Sequence, residues 1–214
     1  MQAQSLKIYS LNTNGLLEDY KQLSLIDHIT ENQINIFGIS ETHLNLKEAK
    51  FSMLSKNLTN YQKFWAPCGN RQGGVGIIIH NQIAKHIGKI QTFKNFLIEI
   101  DLYFKNNHIK LIQIYYPTQE KKQQQKEILT YFTPILNTTN YKIIIMGDLN
   151  STPNSKINRL PTKKYNSPEN QLLKILKYHN FMILSDYSTP PPLNLHIPII
   201  IVLAKLIKFR LISI

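Results

Sequence analysis

Apolar positions recur along this chain with two periods, near two in some stretches and helical in others, and their succession sets the first expectations. Residues 6–16, LKIYSLNTNGL, predict a strand that runs into a polar turn. Residues 18–32, EDYKQLSLIDHITEN, show helical spacing at Leu23, Ile26 and Ile29. INIFGISETHL (34–44) reads as a second strand, and in GNRQGGVGIIIHNQI (69–83) a glycine-rich turn precedes a β-branched run. FLIEIDLYFKNNHIKLIQIYYP (96–117) has the form of a hairpin, two alternating strands folded around Asn106–Asn107. A surface helix is predicted over 119–136, a buried strand in KIIIMGDLN (142–150), and a further helix in SPENQLLKILKYHNF (167–181) with Ser167 as its cap. Parallel-looking strands beside antiparallel hairpins predict an α/β fold, a sandwich of mixed sheets with helices packed outside.

Length and composition change this picture in one respect. A chain of 214 residues with 43% hydrophobic and 18% charged residues is ordinary for one globular core. Its charge balance is not, because 25 Lys and Arg stand against 13 Asp and Glu for a formal net charge of +12. That excess favours an anionic partner such as nucleic acid, through phosphate contacts and counterion release. A surface solvated by lysine alone would give the same count. The single cysteine, Cys68, excludes an internal disulfide framework and fits a reducing, intracellular setting. No leader is visible in MQAQSLKIYSLN, and the apolar run Ile197–Ala204 is too short, before Lys205, to span a membrane.

Polar residues stand at four predicted strand ends: Asn12 and Asn14, then Glu41, then Tyr115, then Asp148 and Asn150. Each alone has a structural reading as a turn residue, a cap or a core phenol. GNRQGG lacks the Walker lysine and the strand-to-helix context, so it reads as a tight turn rather than a phosphate cradle. His28, His43, His80, His86, His108 and His179 show no paired ligand spacing and read as surface or structural, and Phe64 and Trp65 read as core.

Taken in order, SLNTNGL, GISETHL, GGVGIII, IYYP and IMGDLN resemble the successive motifs of the endonuclease/exonuclease/phosphatase superfamily, most closely the endonuclease domain of LINE-type non-LTR retrotransposons. The resemblance covers about residues 5–182, and ETHL and GDLN are its most specific blocks. It implies a four-layered sandwich of two mixed β-sheets flanked by helices, with the site at the sheet ends and a phosphodiester as substrate. It further implies Mg²⁺ or Mn²⁺ held by Glu41 and Asn14, and Asn12 holding the site network. By the same resemblance Tyr115 contacts the scissile phosphate, Asp148 takes a proton from water, and Asn150 donates to a phosphate oxygen. The residue types agree: a hard oxygen ligand suits a cation that keeps several waters, and an Asp–Asn pair can accept and donate at once.

The resemblance stops near residue 182. Family members continue through an S-[KRQ]-I-D strand to S-D-H, whereas Ser185-Asp186-Tyr187 precedes prolines and lacks the histidine. Methionine has the single codon ATG, so a frame starting on each third base reads aspartate across Met182 and Ile183. Continued, that frame permits F-D-x-x-R-L-[FL]-[HN]-P and, around LAKLI, S-Q-I-D. The expectation is therefore a C-terminally incomplete domain over 1–182 and a frameshifted, non-homologous tail over 183–214, with an open sheet edge and weak or no activity. DNA is the expected partner, with no membrane contact, and the chain is expected to be monomeric unless that edge associates. Nuclear residence suits a DNA nicker, although no basic cluster marks it. A superfamily phosphatase acting on a small molecule or lipid, and a degenerate nucleic-acid-binding fragment without turnover, are the alternative readings.

Overall fold

The computed structural model describes residues 6–69, 71–105, 107–138, 140–151, 170–184 and 202–205, with the backbone alone for 182–184 and 202–205. The β-branched and aromatic runs form strands, as their fit to a pleated, half-buried surface requires. In chain order the elements are β1 (Ile8–Asn12), α1 (Asp19–Glu31), β2 (Ile36–Ser40), α2 (Leu46–Phe51), β3 (Tyr61–Ala66), β4 (Val75–His80) and α3 (Asn81–Ala84). There follow β5 (Ile87–Phe93), β6 (Leu97–Phe104), β7 (Asn107–Tyr115), α4 (Lys122–Leu136), β8 (Lys142–Asp148), α5 (Gln171–Tyr178), β9 (Phe181–Leu184) and β10 (Val202–Lys205).

Residues up to His80 build the first sheet, in the order β1-β2-β4-β3, and residues from Ile87 onward build the second, in the order β5-β6-β7-β8-β10-β9. Both sheets are mixed. β1 pairs β2 in parallel and β7 pairs β8 in parallel, with α1 and α4 as the crossovers. Leu25, Ile26 and Ile29 of α1 pack with Phe37, Ile39 and Ile78 on the outer face of the first sheet. Ile77 and Ile79 turn inward against the second sheet, whose far face is covered by Phe132 and Leu136 of α4 and Leu172, Leu173 and Leu176 of α5. This is the expected four-layered α/β sandwich.

Some local expectations change. Leu23 is 56% exposed, and the buried stripe of α1 is Leu25, Ile26 and Ile29. At 3.6 residues per turn Leu23 lies about a third of a turn away from Ile29, outside that stripe. The cap of α5 is Asn170, whose side chain accepts from the Leu173 N–H; Ser167 lies outside the described residues. Phe64 and Trp65 on β3 are half-buried. The hairpin is as expected, with Phe104 opposite Asn107; Asn106 itself lies outside the described residues. At the C-terminal side the expected open edge of β8 is covered: β10 lies between β8 and β9, pairing Leu203 with Ile145 and Leu203 with Ile183. Val202–Lys205 satisfies the ladder that β8 offers. Ser185–Tyr187 lies outside the described residues.

Candidate active site

Four strands, β1, β2, β7 and β8, bring their C-terminal ends to one rim, where the pairing sets Asn12 beside Ser40 and Tyr115 beside Asp148. Side chains alternate along each strand, so Asn12, Tyr115 and Asp148 share the face that looks into the space between the sheets. The Asn12 side-chain amide donates from Nδ2 to Asp148 Oδ2 at 2.7 Å, a bond that crosses from the first sheet to the second. The Asn150 backbone N–H donates to Asp148 Oδ1 at 2.8 Å, and Asn12 Oδ1 accepts from the Asn14 N–H at 2.9 Å. Asn150 also donates through Nδ2 to the Tyr116 carbonyl at 2.8 Å.

Burial governs the electrostatics. Asp148 is 5% exposed, and its carboxyl is held above the usual aspartate range by that burial. The Asn150 N–H and the Asn12 amide pull the other way, while the Glu41 charge adds to the rise. Tyr115 is pushed well above its ordinary value by burial, then by its hydrogen bond to Glu41 and the charges of Glu41 and Asp148. An Asn150 contact opposes this only in part. Tyr115 is therefore a neutral phenol beside Glu41, with Asp148 close enough for their charges to be felt.

Glu41 follows β2 in the left-handed region, at φ 53°, and His43 does the same at φ 55°. Such angles cost a non-glycine residue free energy and persist only where the surroundings enforce them. Here two loops do so. On one side, the N–H groups of Thr13, Gly15 and Leu16 donate to the carbonyls of Ser40, Glu41 and Thr42 at 3.0, 2.7 and 2.9 Å. On the other, the Thr42 and His43 N–H groups donate to the Gly74 and Gly73 carbonyls at 3.1 and 3.0 Å. A Cβ on Gly74 would lie 2.4 Å from Thr42 Oγ1, so the GNRQGG turn holds its glycines in order to press against the Glu41 loop. Half-buried His43 lies against Gly15, and desolvation keeps its imidazole below the ordinary range.

All six residues singled out in the sequence thus gather at one rim, Asn14 being exposed on the loop after β1. Sequence reasoning read Gly73–Gly74 as a turn without its part in holding the Glu41 loop, and missed Thr13, Thr42 and a buried polar trio made of Ser10, Ser40 and Gln113. Gln113 was visible as a signal, an amide in the middle of an apolar strand. Among the described residues no lysine or arginine pairs with Glu41 or Asp148, and no group of three or more His, Cys, Asp or Glu is gathered. Two carboxylates close enough for their charges to be felt, beside neutral amides, fit a hard cation that keeps most of its waters and needs only one or two protein carboxylates.

A family model described as the Endonuclease/Exonuclease/phosphatase family matches residues 9–198. Among solved structures, the AP endonuclease LMAP from Leishmania major superposes with a TM-score of 0.68 at 13% identity, over 94% of this chain and 79% of that one. An AP endonuclease from Archaeoglobus fulgidus gives 0.66 at 16% identity, over 94% and 87%. The endonuclease domain of TRAS1, a telomere-specific non-LTR retrotransposon, gives 0.56 at 14% identity, over 92% and 83%. These likenesses are of fold, and together with a family match that takes in β1, the Glu41 loop, Tyr115 and the Asp148 strand end they place the chain in the endonuclease/exonuclease/phosphatase family.

Proposed function

We propose that the chain is a divalent-metal-dependent phosphodiesterase of the DNA-nicking type. The observation that carries this reading is the junction at the rim, where Asn12 from one sheet orients a buried Asp148 on the other while Tyr115 sits beside Glu41. Asp148 is the general base. Its two oxygens are held by N–H donors from Asn12 and Asn150, each oxygen keeps a further lone pair, and its raised proton affinity suits removal of a proton from water. Tyr115, kept neutral, exchanges Glu41 for a non-bridging phosphate oxygen and donates to it. Asn150 supplies a second donor by turning its amide from the Tyr116 carbonyl. Glu41 and Asn14 would hold Mg²⁺ or Mn²⁺, which when bound supplies neutralisation of the phosphate charge. A net charge of +12 supports a polyanionic substrate such as DNA over a small phosphorylated molecule.

The reading includes the division at residue 182 and a shifted frame beyond it, with turnover in this chain well below that of a version carrying the alternative frame. A supercoiled-plasmid nicking assay in Mg²⁺ tests both parts, using this chain, Asp148→Ala and the frame-restored version. Nicking by the restored form, lost with Asp148→Ala, is the expected result. Release of phosphate from monoesters or lipid head groups without nicking overturns the DNA assignment. Salt-sensitive binding without cleavage by either form overturns the enzyme. Genomic bases in one uninterrupted frame through Met182, with no alternative that encodes the family segments, overturn the frameshift.

A further inference from the structure

Beneath the rim, where the two sheets otherwise meet through aliphatic side chains, stands a polar trio that the mechanism leaves unused. Gln113 on β7, which is fully buried, accepts through Oε1 from Ser10 Oγ of β1 at 3.2 Å and donates from Nε2 to Ser40 Oγ of β2 at 2.8 Å. Ser40 Oγ in turn reaches the Ile114 carbonyl at 3.5 Å. Ser10 is 1% exposed and Ser40 is fully buried, so all three are shielded from bulk solvent. The backbone makes room for them: a Cβ on Gly38 would lie 2.0 Å from Gln113 Oε1.

The position of the trio relative to the site is what gives it meaning. Ser10 lies two residues before Asn12, Ser40 one before Glu41, and Gln113 two before Tyr115, with Gln113 paired to Met146, two before Asp148. Two residues of strand are about 7 Å, so the trio forms the layer directly under the site. Contacts between aliphatic side chains are non-directional and leave two stacked sheets free to slide by fractions of an ångström. Hydrogen bonds with defined angles do not. The site is sensitive to such a slide, because both of its decisive contacts, Asn12 to Asp148 and Glu41 to Tyr115, cross between the sheets.

We infer that Gln113, gripping Ser10 and Ser40, is a positioning residue that fixes the register of one sheet over the other and so sets the Asn12–Asp148 and Glu41–Tyr115 contacts. This assignment rests on the functional reading above for its catalytic meaning and on the geometry alone for its structural meaning.

The test separates tethering from mere stability. Gln113→Leu leaves two buried hydroxyl groups without their partner and lowers the melting temperature. The triple variant Ser10→Ala, Gln113→Leu, Ser40→Ala removes the orphans, so its melting temperature returns toward that of the unsubstituted chain. The first readout needs no turnover: the Asn12 side-chain amide resonance, displaced and protected from solvent exchange by its bond to Asp148. In the triple variant that protection is expected to fall by about tenfold or more. In the frame-restored protein, kcat for nicking is expected to fall by about 10²-fold with KM little changed, as for an ångström-scale misplacement. Recovery of melting temperature together with an unchanged Asn12 resonance overturns the inference, as does recovery of kcat with stability. If no form nicks DNA but the Asn12 protection is still lost in the triple variant, the functional reading fails and the tether stands.

Discussion

Asp148 is a residue whose chemistry and stability pull in opposite directions. Its carboxyl binds a proton more tightly in the fold than in the unfolded chain, because burial outweighs the two N–H donors. Its contribution to stability is therefore complete below the ordinary aspartate range and is lost as pH rises through the raised value. At neutral pH in Mg²⁺, Asp148→Asn in the frame-restored protein is expected to lower nicking by at least about 10²-fold, because an amide cannot take the proton from water. Plasmid nicking by the folded variant checks this, and retained nicking would refute the account. The pH profile has a matching sign: nicking should rise with pH as Asp148 gives up its proton, on a limb displaced upward from an ordinary aspartate. At this scale the sequence was a good guide to which residues lie together at the rim, since Asn12, Glu41, Tyr115 and Asp148 carry polar chemistry where a buried strand end needs none. It could not give the partners. That Asn150 turns its amide to Tyr116, or that Tyr115 rests on Glu41, follows from loops whose courses are set by tertiary contacts.

Strand pairing puts a second set of demands on the sequence. Gly147 has φ 132°, and a Cβ there would lie 1.9 Å from the Ile114 carbonyl oxygen on the neighbouring strand. Gly147→Ala is expected to cost more than about 2 kcal/mol by forcing β7 and β8 apart beside Tyr115 and Asp148. Denaturant unfolding measures it, and a neutral result would mean that the pair yields without strain. On the outward face of the same sheet Lys110, 5% exposed, donates to Asp101 Oδ1 at 2.6 Å and to Glu99. Burial works against its charge, but the two carboxylates outweigh that and hold the ammonium above its ordinary value. Lys110→Met removes the one cation between two buried acids and is expected to destabilise by about 3 kcal/mol, well away from the site. Intact nicking by the folded fraction would show that the damage is confined to stability. Elements were legible where burial leaves a sustained apolar pattern, as in β6, β8 and α4. Half-exposed β3 and mostly exposed β5 escaped notice because their alternation is weak, and the tilt of α1 chose Leu25 over Leu23 for reasons that lie in the sheet beneath it.

Over the whole molecule the net charge of +12 makes a testable demand on the proposed DNA substrate. Affinity for duplex DNA should fall linearly on a log–log plot against salt, and a flat response would argue against phosphate contacts. Fold class was readable at this scale because crossover helices and hairpins leave distinct periods, whereas the seating of β10 between β8 and β9 was not, since pairing partners far apart in sequence carry no local mark. The chain lays down the first sheet completely before it begins the second. Asn12, Asn14 and Glu41 therefore belong to one contiguous piece, and Tyr115, Asp148 and Asn150 to the other. Severed in the short stretch between His80 and Ile87, the frame-restored polypeptide would on the proposed reading yield two inert halves, each carrying part of a catalyst that neither can complete, and cleavage of DNA would then report their reunion.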